Sequence, residues 1–328
     1  MLNEMRSGSL SQASIQKFKA LQRTPQFDDD IEPTELYPTR REVDLANNAR
    51  LHSLPGSIHS FLAEEGGAIT NLQQREKLLQ NCMAPQSLEL KKDAQVMLIK
   101  NLDENLVNGS LGKVIGFMSE STFALCESEG VEVESTITDD PFGFETLNPE
   151  DNDSESVLRK KRRMLKLSEM HAGTSQLWPL VRFTTATGLH VDRLLTREKW
   201  QFENPDGEIQ AYRRQVPLIL AYAISIHKAQ GQTLSRVRVD LGKVFEKGQA
   251  YVALSRATSR EGLQILRFDA RKVMAHPKVA GFYRSLENVD GVANKRSRGD
   301  RGWERRASEQ LEERDIEYEF DISSYAYG

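Results

Sequence analysis

Hydrophobic and polar positions follow a helical period over the first part of the chain. Residues 1–23 predict a helix or a pair of helices, and "NLQQREKLLQN" (71–81) predicts another, because apolar residues recur every three or four positions. Between them, "LYPTRREVDLANNARLHSLPG" (36–56) predicts a short strand and then a helix that begins near Thr39 and runs past Asn48. The Pro-Gly pair at 55–56 is predicted to end that helix.

The period shortens from about residue 94. Glycine-containing turns separate four β-rich segments, "AQVMLIKNL" (94–102), "LGKVIGFM" (111–118), "PLVRFTT" (179–185) and "LHVDRLLTREKWQFE" (189–203). Short strands joined by tight turns predict a small antiparallel barrel of SH3-like size. Trp178, Trp200 and Phe202 fall at the edges of these segments, where core or rim packing is a better interpretation than stacking on bases.

A strongly acidic stretch interrupts the predicted barrel. Residues 119–157 contain twelve Asp or Glu residues and no Lys or Arg, and few of their residues are apolar. Such a composition predicts an insert that cannot bury a core, so we expect residues 119–170 to be disordered. The run "RKKRR" (159–163) that follows is consistent with a localisation signal, a DNA contact or a solvated charge run.

Strands and helices alternate beyond residue 216. "VPLILAYAISI" (216–226), "RVRVDLG" (236–242) and "LQILRF" (263–268) read as strands, and "GQAYVALSRAT" (248–258) reads as a helix with an apolar face. Apolar strands alternating with helices predict a parallel α/β sheet buried on both faces. The polar cluster "HKAQGQT" (227–233) directly follows a strand, where binding groups collect in such sheets.

Composition narrows the class of protein. The formal net charge is −4, but residues 211–288 hold fourteen Lys or Arg against five Asp or Glu, a difference of nine in favour of the basic residues. A local basic face binds phosphate whatever the total charge. No apolar run reaches the roughly 18 residues of a membrane span. Two cysteines form neither a disulfide framework nor a metal cluster, which favours a reducing compartment.

Four segments resemble motifs of the petite-integration-frequency (Pif) family of superfamily-one DNA helicases. "LYPTRREVDLANNARL" (36–51) resembles motif IV, "AYAISIHKAQGQTL" (221–234) motif V and "QAYVALSRATSREGLQIL" (249–266) motif VI. "AQVMLIKNLDENLVNGSLGKVIGF" (94–117) resembles the start of the family's SH3-like insertion. The long insertion is similar to fungal members. The resemblance implies a RecA-like parallel-sheet domain with an inserted SH3-like β-barrel.

The resemblance also implies an order of domains along the chain. We expect, in sequence, the helical end of a first RecA-like domain with its linker (1–30), the first part of a second RecA-like domain (31–92), the SH3-like insertion (93–215) with its acidic insert (119–170), the second part of the second RecA-like domain (216–288) and a disordered tail (289–328). No G-x-x-x-x-G-K-[ST] phosphate loop occurs in the sequence. We therefore expect the C-terminal half of a helicase, without the domain that carries the Walker motifs.

Nucleotide-binding roles follow from the resemblance. Arg256 in "ALSRAT" matches the motif VI arginine finger, which stabilises charge on the γ-phosphate. Gln230 and Gly231 match the motif V turn that faces the nucleotide, where glycine permits a close approach of the backbone. Arg40 is a further candidate near the nucleotide, although Arg41 competes with it. ATP is the implied cofactor, with Mg²⁺ ligands expected in the first domain.

DNA-binding roles follow in the same way. Ser225, His227 and Lys228 match the part of motif V that contacts the backbone of the single strand. The helix of motif VI and the strand after it supply the remaining candidates, Gln249, Tyr251, Ser255, Arg260 and Arg267. Hydroxyl, Lys and Arg side chains bind phosphate without reading sequence, as a translocating motor requires.

The predicted function is the C-terminal part of an ATP-dependent 5′-to-3′ DNA helicase that acts in genome maintenance, in the nucleus and the mitochondrion. Single-stranded and forked DNA are the expected partners, with no membrane partner and a monomeric state. Two alternatives remain open: a non-catalytic single-stranded DNA-binding fragment, and a fragment of a RecD-like helicase. An in-frame phosphate loop in the gene upstream of Met1 would favour the enzyme over both alternatives.

Overall fold

The computed structural model describes most of the first 275 residues of the chain. The described ranges are 1–27, 29–129, 176–185, 188–243 and 247–275, with short pieces at 154–155, 158–159, 162, 278–279 and 281–282. Residues 1–275 form one compact unit, and the account of the fold that follows concerns this unit. The predicted tail, most of the acidic insert and most of "RKKRR" lie outside the described residues.

Strands dominate the described part of the chain. In chain order they are β1 (Thr34–Tyr37), β2 (His59–Leu62), β3 (Glu64–Gly66), β4 (Ser87–Leu90), β5 (Gln95–Leu98), β6 (Leu111–Met118), β7 (Trp178–Thr184), β8 (His190–Leu194), β9 (Glu198–Glu203), β10 (Ile209–Gln215), β11 (Leu218–Leu220), β12 (Ala223–Ser225), β13 (Val237–Asp240) and β14 (Leu263–Leu266). The helices are α1 (Leu2–Ser7), α2 (Gln12–Ala20), α3 (Arg40–Ser53), α4 (Leu72–Leu79), α5 (Glu120–Glu129) and α6 (Gln249–Leu254), with a 3₁₀ turn at Ala270–Lys272.

Four of these strands form the predicted parallel sheet. Its order is β12-β1-β13-β14, and every neighbouring pair is parallel. The strands are short and apolar: Val237 and Val239 of β13 and Ile265 of β14 are fully buried. Helix α3 packs on β12 and β1. It begins where the sequence predicts, because Thr39 caps it: the Thr39 hydroxyl accepts a hydrogen bond from the Glu42 N–H and donates one to the Glu42 carboxylate.

The N-terminal helices pack on this parallel sheet. Met5 of α1 and Phe18 of α2 are each only 1% exposed and share a core cluster with Ile224 and Val239. The Phe18 ring stacks on Phe268 with a centroid separation of 5.4 Å. The sequence assigned residues 1–30 to the end of a preceding domain. The apolar faces of both helices are buried in the core of the parallel sheet, and the assignment of these residues to a preceding domain stays a prediction.

Antiparallel strands form the rest of the compact unit. A five-stranded sheet has the order β11-β5-β6-β7-β8, a three-stranded sheet the order β3-β10-β9, and β2 pairs with β4. Side chains alternate across β5, so Met97 enters the core of the parallel sheet while Val96 and Leu98 enter a second core with Phe183. Trp178 is buried, and Trp200 and Phe202 pack beside Cys82, which agrees with the packing interpretation.

The antiparallel part begins earlier along the chain than residue 93. Strand β3 pairs with β10, and β2 with β4, so residues 59–90 belong to antiparallel sheets and not to the parallel one. The boundary predicted at residue 216 also differs from the observed one. The apolar run 216–226 is two strands: β11 pairs with β5 in the antiparallel sheet, and β12 pairs with β1 in the parallel sheet. Both faces of a boundary strand are buried, so its hydrophobic pattern shows no break.

The acidic stretch contains an ordered element at its start. Helix α5 (Glu120–Glu129) directly follows β6, and Ser119 accepts a hydrogen bond from the Thr122 N–H. Thr122 and Cys126 are 2% exposed in each case. Residues 119–129, within the stretch predicted to be disordered, therefore include a short helix with one side buried. No helix among the described residues is long and apolar enough to span a membrane.

Candidate nucleotide and nucleic-acid sites

The four parallel strands end at one edge of their sheet. This strand-end edge comprises Tyr37, Ser225, Asp240 and Leu266, the last residues of β1, β12, β13 and β14. Tyr37 lies in register with Ser225, and Asp240 with Leu266. Parallel strands bring motif IV, which follows β1, and motif V, which follows β12, to this edge. The polar cluster "HKAQGQT" therefore begins at this edge, just after the buried strand β12.

Motif V forms a tight turn beyond Ser225. The Ala229 N–H donates to the Ser225 carbonyl at 2.9 Å, and the Lys228 N–H donates to the Ser225 hydroxyl oxygen at 3.3 Å. Ser225 is buried, so its hydroxyl shapes the turn. His227 is exposed. Gly231 has a φ of 79°, which glycine adopts without strain.

Arg40 and Lys228 lie on the same cleft. The cleft, called here the α3 cleft, has a volume of about 520 Å³ and is lined by Arg40 and Lys228 together with Leu51, Leu88 and Ile224. Burial, and next the nearby charge of Arg40, lowers the pKa of the Lys228 ammonium. Neither cation makes a salt bridge within the described part of the chain. The carboxylates of Asp44 and Glu89 line the same cleft without forming a salt bridge to either cation, so both cations can still bind an anion.

Arg40 lies beside residues that the sequence predicted to contact DNA. It was a candidate for nucleotide contact, but it shares the α3 cleft with Ser225 and Lys228, the residues predicted to contact DNA. Arg40 is the first residue of α3, and the strand pairing of β1 with β12 brings that helix start beside motif V. The geometry therefore groups Arg40 with the predicted DNA residues.

Sequence reasoning missed Asn47, which supports this cleft. Its carboxamide donates to the Ala223 carbonyl and accepts from the Ala223 N–H, each at 2.9 Å. Strand β12 lies at one end of its sheet, so Ala223 has no ladder partner on the outer side. Asn47 provides that partner and fixes α3 against motif V. An Asn on the otherwise apolar face of a helix was the signal in the sequence.

Several basic residues of the 211–288 window are paired with carboxylates. Arg213 pairs with Glu65, Arg236 with Asp29, Arg238 with Glu35 and Arg267 with Asp240. Three of these four carboxylates lie outside the window, so a count along the sequence could not include them. The excess of nine basic residues therefore overstates the basic face.

Arg256 is held by neutral acceptors. Its guanidinium donates to the Val252 carbonyl at 3.1 Å, the Ser255 hydroxyl at 3.0 Å and the Gln232 carbonyl at 3.4 Å. The backbone also joins the two motifs, since the Leu234 N–H donates to the Arg256 carbonyl at 2.9 Å. Motifs V and VI are thus brought together around a half-buried arginine whose charge no carboxylate compensates among the described residues.

A second feature beside Arg256 was not predicted. The side chain of Gln232 is 3% exposed, and neither its oxygen nor its nitrogen has a hydrogen-bond partner among the described residues. Next to it, a Cβ added to Gly109 would lie 2.5 Å from the Thr233 carbonyl oxygen. The turn between β5 and β6 therefore rests directly on motif V, and only glycine fits there.

The remaining predicted DNA residues are dispersed. Gln249 is 5% exposed, and Tyr251 is half-buried against the core of the parallel sheet. Ser255 donates its hydroxyl to the Val252 carbonyl at 3.0 Å, and the exposed Arg260 offers its carbonyl to Arg23. Arg267 is occupied by Asp240. None of these five residues lines the α3 cleft with Ser225 and Lys228.

Most of the chain is similar to proteins named ATP-dependent DNA helicases. Residues 74–117 match the family model described as "DNA helicase Pif1, 2B domain". The chain is 54% identical over 294 residues to "ATP-dependent DNA helicase PIF1" of Emericella nidulans, covering 89% of this chain and 38% of that protein. It is 41% identical to the protein of that name from Saccharomyces cerevisiae, covering 97% of this chain and 42% of that protein.

A solved structure agrees with these relatives. The crystal structure of Pif1 helicase from Candida albicans has a TM-score of 0.60 and 39% identity, covering 87% of this chain and 57% of that chain. The parallel sheet and its strand-end edge define an α/β domain of the RecA-like class. Within that class, the chain belongs to the Pif family. It spans about two fifths of the length of the two relatives above, 38% and 42%.

Proposed function

We propose that this chain is the part of an ATP-dependent 5′-to-3′ DNA helicase that holds motifs IV, V and VI. The relatives that it matches are named ATP-dependent DNA helicases. The observation that carries the proposal is two sets of cations without a salt bridge among the described residues: Arg40 and Lys228 at the α3 cleft, and Arg256 between motifs V and VI. Both sets suit phosphates, which in this proposal belong to DNA and to ATP.

The antiparallel part fits the proposed SH3-like insertion. Its five-stranded sheet follows the order β11-β5-β6-β7-β8, and all four β-rich segments predicted from sequence contribute to that sheet. A β-bulge between Val114 and Gly116 of β6 bends the sheet, as closure into a small barrel requires. The family match at residues 74–117 begins in α4 and ends in β6.

The residues near Arg256 suit a nucleotide. Gly231 exposes backbone at a positive φ, Gln230 is exposed, and the guanidinium of Arg256 is bound only to neutral oxygens. In this proposal Arg256 supplies positive charge to the γ-phosphate of ATP held by a second RecA-like domain. Mg²⁺ ligands belong to that domain in the proposal. Genome maintenance in the nucleus and the mitochondrion completes the proposed role, with the monomer as the working unit.

Binding of single-stranded DNA to the chain tests the proposal directly. We expect weak binding without sequence preference, with an affinity that falls steeply as salt rises. Each lost phosphate contact flattens the salt slope by about 0.7 for a single strand. Replacing His227→Ala together with Lys228→Ala should therefore weaken binding and reduce the slope in a fluorescence-anisotropy salt series. Equal salt slopes for parent and variant would show that His227 and Lys228 of motif V do not contact DNA.

An ATPase assay separates the proposed enzyme from a simple binding module. Without a phosphate loop in its sequence, this chain alone should show no DNA-stimulated ATP hydrolysis above background. Activity should appear only in a longer protein that also carries a phosphate-loop domain. If such a protein binds DNA but never hydrolyses ATP, a non-catalytic DNA-binding fragment would be the better description.

A further inference from the structure

A Thr-Pro pair lies just after the N-terminal helices. Thr24-Pro25 is the only Ser-Pro or Thr-Pro pair in the 328-residue sequence. Thr24 is exposed, and residues 24–27 belong to no helix or strand. Proline also disfavours helical backbone at the residue before it. Thr24 therefore presents its hydroxyl on an accessible segment without regular structure, which is the form of substrate that protein kinases bind.

A row of polar side chains joins Thr24 to the parallel sheet. The Gln264 carboxamide donates to the Thr24 hydroxyl oxygen at 3.3 Å, and its own oxygen accepts from Nε of Arg238 at 2.7 Å. Arg238 in turn donates to the Glu35 carboxylate at 2.9 Å. Glu35, Arg238 and Gln264 lie in register on β1, β13 and β14. A single carboxamide thus separates the Thr24 hydroxyl from a guanidinium group.

A second guanidinium group directly precedes Thr24 in the chain. Arg23 is exposed and donates to the carbonyl oxygens of Arg260 and Glu261, at 3.0 Å in each case. It makes no salt bridge among the residues that the structure describes. The lowered pKa of the nearby Glu261 carboxyl group arises first from its own backbone N–H and then from the Ser259 hydroxyl. Arg23 can therefore bind another anion without giving up a carboxylate.

The acidic residues that follow Thr24 would repel a phosphate unless cations compensated them. Asp29 binds Arg236, and the carboxylate of Asp30 lies 3.9 Å from Nζ of Lys113. Residue 28 lies outside the described part of the chain. Both described carboxylates of this acidic run therefore lie beside a cation, which reduces their repulsion of a phosphate on Thr24.

We propose that Thr24 is a phosphorylation site for a proline-directed protein kinase, with Arg23 and Arg238 as the groups that bind the phosphate. The kinase transfers the γ-phosphoryl group of ATP to the Thr24 oxygen. A bond forms between that oxygen and the γ-phosphorus, the bond from the γ-phosphorus to the bridging oxygen of ADP breaks, and the hydroxyl proton passes to a base of the kinase. The product carries a charge of about −1.5 to −2 and three acceptor oxygens. Phosphorylation thus adds an ionic link between the segment after α2 and the parallel sheet, and this link does not depend on the proposed function.

Kinase treatment of the chain tests the site. We would incubate the 328-residue chain with ATP, Mg²⁺ and a purified cyclin-dependent kinase, which selects Ser or Thr followed by proline, and locate the phosphate by mass spectrometry. Thr24 should be phosphorylated, and Thr24→Val should remove this product. Pro25→Ala should lower the rate by roughly tenfold or more, a usual cost of one lost apolar contact. Absence of phosphate from Thr24, or an equal rate for Pro25→Ala, would overturn the proposal.

Titration of the phosphate by phosphorus NMR tests the contacts with the two arginines. The second pKa of a phosphorylated threonine is ordinarily about 6. Nearby guanidinium groups favour the doubly charged form, so we expect a lower pKa in the folded chain than in a synthetic phosphopeptide of residues 18–30. That peptide contains Arg23 but lacks Arg238, Gln264 and the rest of the sheet.

Two arginine variants and a control separate the contributions. Arg23→Gln and Arg238→Gln should each raise the pKa of the phosphate in the folded chain. Arg41→Gln removes the same charge from α3, which packs on β12 at the opposite end of the sheet from β14, and should leave that pKa unchanged. Arg23 is exposed, so its variant should fold even if Arg238→Gln, which removes a salt bridge to Glu35, does not. A pKa equal to that of the peptide, or equal effects of Arg23→Gln and Arg41→Gln, would overturn the assignment of Arg23 and Arg238 to the phosphate.

Discussion

Basic side chains lie at both ends of the strand-end edge, but they form a salt bridge at only one of these ends in the described part of the chain. Beyond β14, Arg267 forms two contacts with the carboxylate of Asp240, including one of 2.8 Å from its Nε. Near β12, Arg40 and Lys228 share a cleft without any salt bridge in the described part of the chain. Proteins neutralise charge that serves structure, and they leave charge uncompensated where an anion is to bind. The lack of a salt bridge to a cation, more than the number of cations, distinguishes the candidate site.

The interior of the sheet extends this comparison. Arg236 and Arg238, on either side of Val237 in β13, bind Asp29 and Glu35 respectively, so the linker and β1 compensate both charges. Arg256 instead binds three neutral oxygens. Arg256 therefore belongs with Arg40 and Lys228, although it lies at a different site. The predictions below test this division, from the largest expected effect to the smallest.

The largest effect is expected for Arg256→Ala. In a longer protein that also carries a phosphate-loop domain, we expect DNA-stimulated ATPase activity to fall by roughly 10³-fold, as on loss of an arginine finger. Binding of single-stranded DNA should change little. The matched control is Arg267→Ala, which removes a compensated arginine and should keep ATPase activity within a few-fold. Retention of activity in the Arg256 variant, or parallel loss of DNA binding, would refute the finger assignment.

A smaller effect is expected for Arg40→Ala on DNA binding. Loss of one charge-assisted phosphate contact should weaken binding of single-stranded DNA by roughly tenfold and flatten its salt slope by about 0.7. Arg267→Ala removes the same charge at the other end of the edge, where Asp240 compensates it, and should leave the slope unchanged. Anisotropy titrations between low and moderate salt measure both. Equal effects of Arg40→Ala and Arg267→Ala would show that the lack of a salt bridge does not distinguish the residues that bind DNA.

Gly109→Ala tests the support of motif V by the β5–β6 turn. Gly109 has a φ of 99°, and its added Cβ would meet the Thr233 carbonyl oxygen at 2.5 Å. We expect a loss of about 2–4 kcal/mol in the free energy of unfolding, from backbone strain and overpacking together. Gly207→Ala is the control, because its φ of 82° is similar but no atom lies within 4 Å. Urea unfolding measures the stability of both variants. Similar losses of stability would show that the contact with Thr233 contributes nothing to the effect of Gly109→Ala.

The smallest effect concerns pH and the compensated end of the edge. Burial alone would raise the pKa of Asp240, but the hydrogen bond from Arg267 and that from the Gly242 N–H outweigh it and hold the pKa below its usual value. A lowered pKa in the folded state means that the stabilisation is present above the ordinary aspartate pKa and is lost as pH falls through the folded-state value.

Stability of parent and Arg267→Gln should therefore differ near neutral pH and converge at low pH. The difference should be smaller than the effect of Gly109→Ala, because Arg267 is largely exposed and water screens the pair. Urea unfolding between about pH 7 and pH 3 measures this difference, over a range that extends below the ordinary aspartate pKa of about 3.9. A difference that persists unchanged at the lowest pH would mean that the pair does not stabilise the fold.

The sequence by itself determined the elements that depend on local patterns. Helix α3 begins after Thr39 because the cap that Thr39 provides is local, and β13 and β14 follow from short apolar runs. The order of motifs IV, V and VI was sufficient to identify the family. The turn at Gly231 was also predictable, since a glycine after a strand and a polar cluster indicates a tight turn.

Tertiary structure alone decided which strands pair and which charges remain uncompensated. The run 216–226 divides between two sheets because β5 and β1, distant in sequence, are the partners of its two halves. Arg267 is compensated by Asp240 and Arg236 by Asp29, whereas Arg40 and Lys228 meet each other in the α3 cleft. Coulomb interactions and burial depend on distance in space, and a window of sequence contains no information about that distance.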